Sequence, residues 1–278
     1  MDPLLDDSPA RRHFADLMSR PAIPLAEAAL AIAEEEYPHL AVGEYLGRID
    51  GLAAEVVDRL GSQRTAADAI RQLRGVLFER HGFRGNQEAY YDPRNSFLNE
   101  VLERRLGIPI TLSVLYIEVA ARAGLTLHGV GFPGHFLVKH VAGERETFID
   151  PFHGGEILSA DDCRARLEAA APRGAREHSL DTVTPRQILG RMLHNLKKIY
   201  VETGDDVRAL WVIDRLVLLA PESPVERRDR GLVEARLGGS AAAVADLEAY
   251  LAATPAADDA TRVRELAEQL RSRAALLN

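Results

Sequence analysis

Cysteine is nearly absent from this sequence. Cys163 is the only one among 278 residues, so no internal disulfide can form, and the composition suits a reducing compartment. Long apolar runs are also missing, since no uncharged run approaches the roughly 18 residues that a membrane helix needs. The first residues, MDPLLDDSPARRHF, contain no apolar core, so we expect no signal peptide. Together these absences predict a soluble, cytoplasmic protein.

An excess of positive charge is lacking as well. The chain has 34 basic and 42 acidic residues, which gives a net charge of −8. A balance of this sign argues against nonspecific binding to nucleic acid or to an anionic membrane, so we expect neither as a partner. What the chain does have is a hydrophobic content of 46%, enough to build real cores, and a length that exceeds a typical single domain. Two domains are therefore expected.

The first part of the chain is predicted to be helical after a loose lead-in over residues 1–20, which are rich in Asp and Pro. Apolar residues at helical spacing predict helices over residues 24–36, 43–60 and 64–80. A further helix is expected from Asn95 or Ser96 to Arg105, ended by Gly107.

The stretch from Gly107 to Pro151 organises the chain. It reads GIPITLSVLYIEVAARAGLTLHGVGFPGHFLVKHVAGERETFIDP. An almost entirely apolar helix is predicted over Thr111–Ala123, and a helix of this composition belongs in the core of a domain. Strands are predicted over Leu125–Gly131, His135–Val141 and Glu146–Asp150. Short turns join them, so the sheet is expected to be antiparallel.

Three residues in this stretch follow the order nucleophile, base and orienting acid. Ser113 is near the start of the apolar helix, His135 begins a strand and Asp150 ends one. Each also has an ordinary structural explanation. Ser113 could be a helix N-cap, His135 a histidine at a strand end, and Asp150 the first residue of a turn. No local motif such as GxSxG decides between these interpretations.

The loop FRGNQEAYYDPRNSFLN, residues 83–99, concentrates asparagine, glycine and tyrosine. Asn86, Asn95 and Asn99 are candidates for lining a substrate-binding site. The alternative is that their side chains satisfy hydrogen bonds of turns and helix caps.

We expect no metal and no cofactor. Possible ligands lie close together in sequence: His128, His135, His140, Asp150 and His153. However, His135 and His140 are five apart on one predicted strand and so point to opposite faces. No His-x-x-x-His helix and no cysteine pair supports a metal site.

The last third of the chain is predicted to be wholly helical and repetitive. Three pairs recur at a spacing of 34 residues: Gly204 and Gly238, Ala209 and Ala243, Pro221 and Pro255. Glycine at the turn, a small residue at the helix contact and proline after the second helix resemble the tetratricopeptide repeat. Gly231 falls at the close-packing position of the second repeat, whereas Arg227 and Glu234 occupy positions where large apolar residues are usual.

Three segments resemble the SirB family of transglutaminase-like proteins: YYDPRNSFLNEVLERRLGIPITLSVLYIEVAARAGL, GVGFPGHFLVKH and FIDPFHGGEIL. The resemblance implies an α+β, papain-like core with a central helix on an antiparallel sheet, followed by an all-α repeat domain. It also implies that Ser113 occupies the position of the nucleophilic cysteine, with His135 and Asp150 as its partners. We therefore expect a transglutaminase-like core over residues 21–175, a connector over 176–184 and repeats over 185–278.

The serine decides what chemistry is open to such a site. A thiol site works through a thiolate that an imidazolium stabilises, and an alcohol cannot form this resting ion pair. Cys163 lies outside the three segments and does not replace the missing thiol. One hypothesis is a degenerate module that binds a polypeptide or regulates, with the repeats recruiting a protein or peptide partner. The other is a Ser-His-Asp hydrolase or acyltransferase acting on an amide or ester, so sequence leaves open whether the protein is an enzyme. A third interpretation gives the three residues a structural role alone.

Overall fold

The chain divides into two compact units, residues 21–192 and residues 1–20 together with 193–278. The computed structural model describes residues 8–61, 65–132, 134–170 and 180–277. The boundary after residue 192 falls later than the connector predicted over 176–184, of which residues 176–179 lie outside the described part. In the described part of the chain, no helix is long and apolar enough to cross a membrane.

The first unit is built of helices around a small sheet. Its helices are α2 (Leu25–Ala33), α3 (Val42–Leu60), α4 (Ala66–Arg74), α5 (Leu98–Arg104), α6 (Pro109–Arg122) and α7 (Ala160–Ala170). The helix predicted over residues 64–80 is thus α4 followed by a π-helical turn, Gly75–Arg80. The helix expected from Asn95 or Ser96 is in fact a 3₁₀ turn, Pro93–Ser96, and then α5.

Helix α5 ends at Arg104, close to the predicted end at Arg105, but Gly107 is not the residue that stops it. Arg105 ends it in the left-handed conformation, with φ of 59°. Gly107 is required for a different reason, because a Cβ there would lie 2.9 Å from Thr111 Oγ1. A glycine after an amphipathic segment can therefore mark close packing and not only a helix stop.

The sheet has the order β6-β5-β4-β3-β7, and every pairing in it is antiparallel. Its strands are β3 (His128–Phe132), β4 (His135–Ala142), β5 (Arg145–Asp150), β6 (Glu156–Leu158) and β7 (Thr182–Val183). A separate parallel pair joins β1 (Arg84–Gly85) to β2 (Leu106–Gly107). The α+β class and the antiparallel sheet are confirmed, whereas the short strands β6 and β7 were not predicted.

Helix α6 lies at the centre of this unit. Both sides of the helix are buried, and its largest side chain, Tyr116, is fully buried and stacks on Phe78 with ring centroids 5.9 Å apart. A helix that is apolar nearly all round must be covered on all sides, and α6 contacts α3 as well as β4. The predicted central helix is therefore confirmed.

The second unit contains a helix that the sequence analysis missed. Helix α1 (Pro9–Ser19) replaces most of the expected loose lead-in, and residues 1–7 lie outside the described part. Ser8 caps it by accepting a hydrogen bond from Arg11 N–H, and Phe14 and Leu17 are fully buried. Arg11 also donates to the buried carboxylate of Asp214, at 2.8 Å. Most of the Asp and Pro residues on which the lead-in prediction rested precede Pro9, so the composition of residues 1–20 said little about the helix itself.

The repeats of the second unit follow the predicted period. Its helices are α8 (Pro185–Thr203, which begins in the first unit), α9 (Asp206–Leu219), α10 (Pro224–Arg236), α11 (Ser240–Ala253) and α12 (Ala260–Leu277). Gly204 and Gly238 have positive φ, at 71° and 90°, as a turn between helices requires. A Cβ on Gly231 would lie 3.0 Å from the carbonyl oxygen of Ala243, so α10 and α11 pack closely there, as predicted.

Glu226 is a buried acid of this unit. It accepts hydrogen bonds from His194 at 3.0 Å and from Lys197 at 2.7 Å. Burial opposes its ionisation, but the hydrogen bonds and charges of these two neighbours outweigh burial and hold the pKa of Glu226 below its ordinary value.

Candidate active site

Ser113 lies in the second turn of α6 and not at its N-cap. The helix begins at Pro109 after Ile108, and the hydroxyl that serves the helix start belongs to Thr111. Thr111 Oγ1 accepts from Ile108 N–H at 3.1 Å and donates to the carbonyl of Asn95 at 2.7 Å. The N-cap interpretation of Ser113 is therefore wrong.

The Ser113 hydroxyl is buried and unsatisfied. The residue has no exposed surface, and its Oγ has no hydrogen-bond partner among the residues that the structure describes. Buried polar groups are hydrogen-bonded in the great majority of cases, because an unmade bond costs the full desolvation of the group. Ser113 is thus an exception that packing alone does not explain.

His135 and Asp150 meet at the same end of two neighbouring strands. His135 begins β4 and Asp150 ends its antiparallel neighbour β5, so the two residues fall side by side. His135 Nε2 lies 2.8 Å from Asp150 Oδ2, and Asp150 is fully buried. This bond leaves Nδ1 as the ring nitrogen that could face a hydroxyl.

Asp150 is held as a carboxylate by its surroundings. Burial opposes ionisation, but hydrogen bonds from His135 and His153, with the charges of the two imidazoles, hold the pKa of Asp150 below its ordinary value. Its Oδ1 accepts from the backbone N–H groups of Phe152, at 3.1 Å, and His153, at 3.3 Å. These bonds fix the plane of the carboxylate as well as its charge.

Two residues at this site were not predicted to belong to it. His153 Nδ1 lies 2.9 Å from Asp150 Oδ2, because the 3₁₀ turn Pro151–His153 brings the ring back toward β5. Arg191 donates from Nη2 to the carbonyls of Phe132, at 3.0 Å, and His135, at 2.9 Å. The spacing of Asp150 and His153 was a usable signal, whereas nothing in the sequence points from Arg191 to a turn more than fifty residues earlier.

Arg191 holds the turn that leads into His135. Its guanidinium lies against Gly131, where a Cβ would be 2.7 Å from Nη1, and over the ring of Phe136 at 5.3 Å. Burial lowers the pKa of Arg191. One side chain therefore ties the carbonyls on both sides of the turn and sets where His135 begins its strand.

The asparagine loop is held mainly by its own side chains. Asn86 donates to Asn95 Oδ1 at 3.0 Å and accepts from Ala89 N–H at 3.1 Å, and Asn95 donates to the carbonyl of Ala89 at 2.7 Å. These bonds favour the turn interpretation for Asn86 and Asn95. Asn99 differs, because its buried Oδ1 has no hydrogen-bond partner in the described ranges.

Comparison with known proteins agrees with this architecture. Residues 43–194 match the model of the transglutaminase-like superfamily, and residues 196–268 match that of the tetratricopeptide repeat. The chain is thus a transglutaminase-like domain followed by tetratricopeptide repeats, and it belongs to the transglutaminase-like superfamily.

Curated relatives narrow the family further. A UPF0162 protein of Xylella fastidiosa strain Temecula1 is 40% identical over 251 residues, which cover 87% of this chain and 88% of the relative. A UPF0162 protein of Vibrio cholerae serotype O1 is 30% identical over 237 residues, covering 84% and 87%. The chain belongs to this UPF0162, or SirB-like, family. Mouse F-box only protein 21 is 31% identical over 183 residues, covering 63% of this chain and 28% of that protein.

Proposed function

We propose that the chain is a non-catalytic module that binds a polypeptide or regulates, with a degenerate transglutaminase-like site and repeats that recruit a protein partner. The observation that carries the proposal is the state of Ser113. The residue at the position of the nucleophile is fully buried, and its hydroxyl has no base as a hydrogen-bond partner in the part of the chain described.

The chemistry of serine explains why burial of this hydroxyl argues against catalysis. An alcohol is a weak nucleophile unless a base removes its proton during attack, so the base must be within hydrogen-bond reach. The attacked carbonyl must also come within about 3–3.5 Å of the oxygen. A hydroxyl without exposed surface offers a carbonyl carbon no approach.

A serine-reactive fluorophosphonate tests the proposal on the full chain. We expect no labelling of the folded wild type. Labelling that disappears in both Ser113→Ala and His135→Ala, but persists in His140→Ala, would overturn it. His140 is the matched control because it lies on the same strand and bonds at 3.3 Å to the carbonyl of Thr126 instead of to Asp150.

A second candidate function is hydrolysis or acyl transfer on an amide or ester. The intact His135–Asp150 pair favours it, since a purely degenerate site has no need of an imidazole held by a buried carboxylate. In this mechanism His135 Nδ1 accepts the proton of Ser113 while Oγ bonds to the carbonyl carbon. The leaving amine or alcohol then takes that proton, and water or a second nucleophile releases the acyl group. The labelling outcome that overturns the first proposal supports this one.

A groove in the helical unit supports the recruitment part of the proposal. A cavity of about 400 Å³ is lined by residues of α8, α9 and α10, among them Val201 and Leu232 with Arg236. Val201 is 46% exposed, so its side chain is accessible to a partner. Repeat arrays of this class use such concave surfaces to hold a peptide or helix of a partner.

A charge placed in the groove tests recruitment. Immobilised full-length wild type, Val201→Asp and Val225→Asp would each be incubated with a cell lysate, and bound proteins quantified by mass spectrometry. Val225 is the matched control because it is 45% exposed but does not line the cavity. We expect a protein retained by the wild type and by Val225→Asp and lost by Val201→Asp. Equal retention by all three proteins would contradict recruitment through this groove.

A further inference from the structure

Asp150 Oδ2 is the meeting point of two imidazole rings. His135 approaches through Nε2 at 2.8 Å and His153 through Nδ1 at 2.9 Å, and the three ligand atoms all lie within 4.8 Å of one another. The ring centroids of the two histidines are 5.6 Å apart. The two rings come from different elements, β4 and the turn after β5, and converge on one oxygen. Among the described residues, they form with Asp150 a group of the size and kind that could hold a metal ion.

The donor set is one that transition metals select. Two imidazole nitrogens and a carboxylate oxygen are ligands of Zn²⁺, with metal–ligand distances of about 2.0–2.2 Å. In a tetrahedral site these distances place neighbouring ligand atoms about 3.3 Å apart. The present nitrogen–oxygen separations of 2.8 and 2.9 Å are a few tenths of an ångström short of that, so these atoms must move apart by that much when an ion enters.

The surroundings of the carboxylate also suit a ligand. Phe152 and His153 donate their backbone N–H groups to Oδ1, which keeps Oδ2 directed at the two rings. Hydrogen bonds of this kind orient metal-binding carboxylates in known sites. Asp150 is fully buried, whereas the His153 side chain is 47% exposed, so an ion has a way in from solvent.

We propose that His135, Asp150 and His153 bind a divalent transition-metal ion such as Zn²⁺. The ion takes the place of the two hydrogen bonds, and each ring carries its proton on the opposite nitrogen, Nδ1 of His135 and Nε2 of His153. Three protein ligands leave a fourth position for water or for a partner's side chain. A protonated Nδ1 cannot take the proton of Ser113, so the ion-bound site fits the non-catalytic module and not the Ser-His-Asp mechanism. The metal site also goes against our sequence-based expectation of no metal. That expectation weighed a cluster that already included Asp150 and His153, and discarded it because His135 and His140 point to opposite faces; it did not foresee that the turn after β5 brings His153 to the carboxylate of Asp150.

Arg166 is a neighbour whose positive charge opposes a cation here. Its Nη1 lies 3.8 Å from Asp150 Oδ2, while its Nη2 is 3.2 Å from each oxygen of Glu156. The Arg166 side chain is 43% exposed, so it can keep its bond to Glu156 and turn outward. Removing this competing charge should raise the affinity for the metal, whereas removing a ligand should lower it.

The experiment is titration of the tag-free full chain with ZnCl₂ by calorimetry, and with CoCl₂ by visible absorption. We expect one ion per chain, affinity reduced roughly 10- to 100-fold or more in His135→Ala and in His153→Ala, and affinity increased in Arg166→Gln. His140→Ala and Ser113→Ala should bind as the wild type does. His153→Gln repeats the ligand removal with a side chain closer in size, and circular dichroism of each variant checks that it folds.

Absence of one-to-one binding to the folded wild type would overturn the proposal, and so would binding unchanged in His153→Ala and His153→Gln. Loss of affinity in His140→Ala would point instead to unspecific histidine binding and would also overturn it. Because Ser113→Ala is expected to keep the ion and to lose any fluorophosphonate labelling, failure of the metal site and failure of the proposed function are distinguishable.

Discussion

Replacing Ser113 by alanine should stabilise the protein. The substitution removes one oxygen that is fully buried and has no hydrogen-bond partner within the described residues, while α6 stays otherwise unchanged. If Ser113 were the N-cap that its sequence position suggests, the same substitution would cost about 0.5–2 kcal/mol. The two interpretations thus predict changes of opposite sign in the free energy of unfolding.

The magnitude follows from three contributions. Burying a hydroxyl without a partner costs about 1–3 kcal/mol on the scale of protein mutations, and alanine relieves that cost. Alanine is also preferred over serine inside a helix by up to about 0.5 kcal/mol. Losing the packing contacts of one atom opposes these gains by roughly 1 kcal/mol at most. We expect the free energy of unfolding to rise by about 1–2 kcal/mol.

Urea unfolding followed by far-UV circular dichroism measures this change, provided that the m value is the same in both proteins. Thr111→Val is the matched control, because it removes a second buried hydroxyl of α6 that does bond, to Ile108 N–H and to the carbonyl of Asn95. The free energy of unfolding of Thr111→Val should be lower than that of the wild type by about 1–3 kcal/mol. If Ser113→Ala instead destabilises the protein by as much as Thr111→Val, the hydroxyl is bonded in solution and the argument for a degenerate site loses its premise.

Three further predictions concern residues outside the candidate triad. Arg191→Met keeps the apolar stem of the side chain and should lower the free energy of unfolding by about 1.5–3 kcal/mol. It should also shift the NMR signals of the His135 ring, and unchanged signals would contradict the positioning role of Arg191. Glu226 has a lowered pKa in the folded state, so its stabilisation is complete above the unfolded value of about 4.3 and disappears as pH falls through the folded value. The difference in unfolding free energy between wild type and Glu226→Gln should therefore shrink as pH falls below about 4.3, and a constant difference would refute the ion pairs. Gly231→Ala should lower the free energy of unfolding by about 1–3 kcal/mol, because its Cβ meets the backbone of α11. Gly190→Ala, where a Cβ has open space, should raise it by about 0.5–1 kcal/mol. Equal effects of the two substitutions would contradict the close packing.

Local patterns in the sequence were enough to predict most of the fold. The apolar composition of residues 111–123 required a covered helix, and the turns around Gly143 required antiparallel strands. The repeats followed from spacing alone, because Gly204 and Gly238 serve a turn that is built only from residues near them. Where the prediction failed, as over Pro9–Ser19, the helix is short and is stabilised by the distant carboxylate of Asp214.

Some features of the candidate site could likewise be predicted from the sequence, and others could not. Sequence by itself determined that Ser113, His135 and Asp150 follow one another in the order that a nucleophile, a base and an orienting acid would take, because residue identity and order are local properties. That serine stands where a transglutaminase-like site has its cysteine is a premise of our proposal, and it rests on the resemblance of three segments. Only the tertiary structure decided that the Ser113 hydroxyl is buried without a partner, that His153 shares the carboxylate of Asp150, and that Arg191 holds the turn before His135. Burial and hydrogen bonding depend on which surfaces meet, and surfaces meet through contacts between residues far apart in the chain.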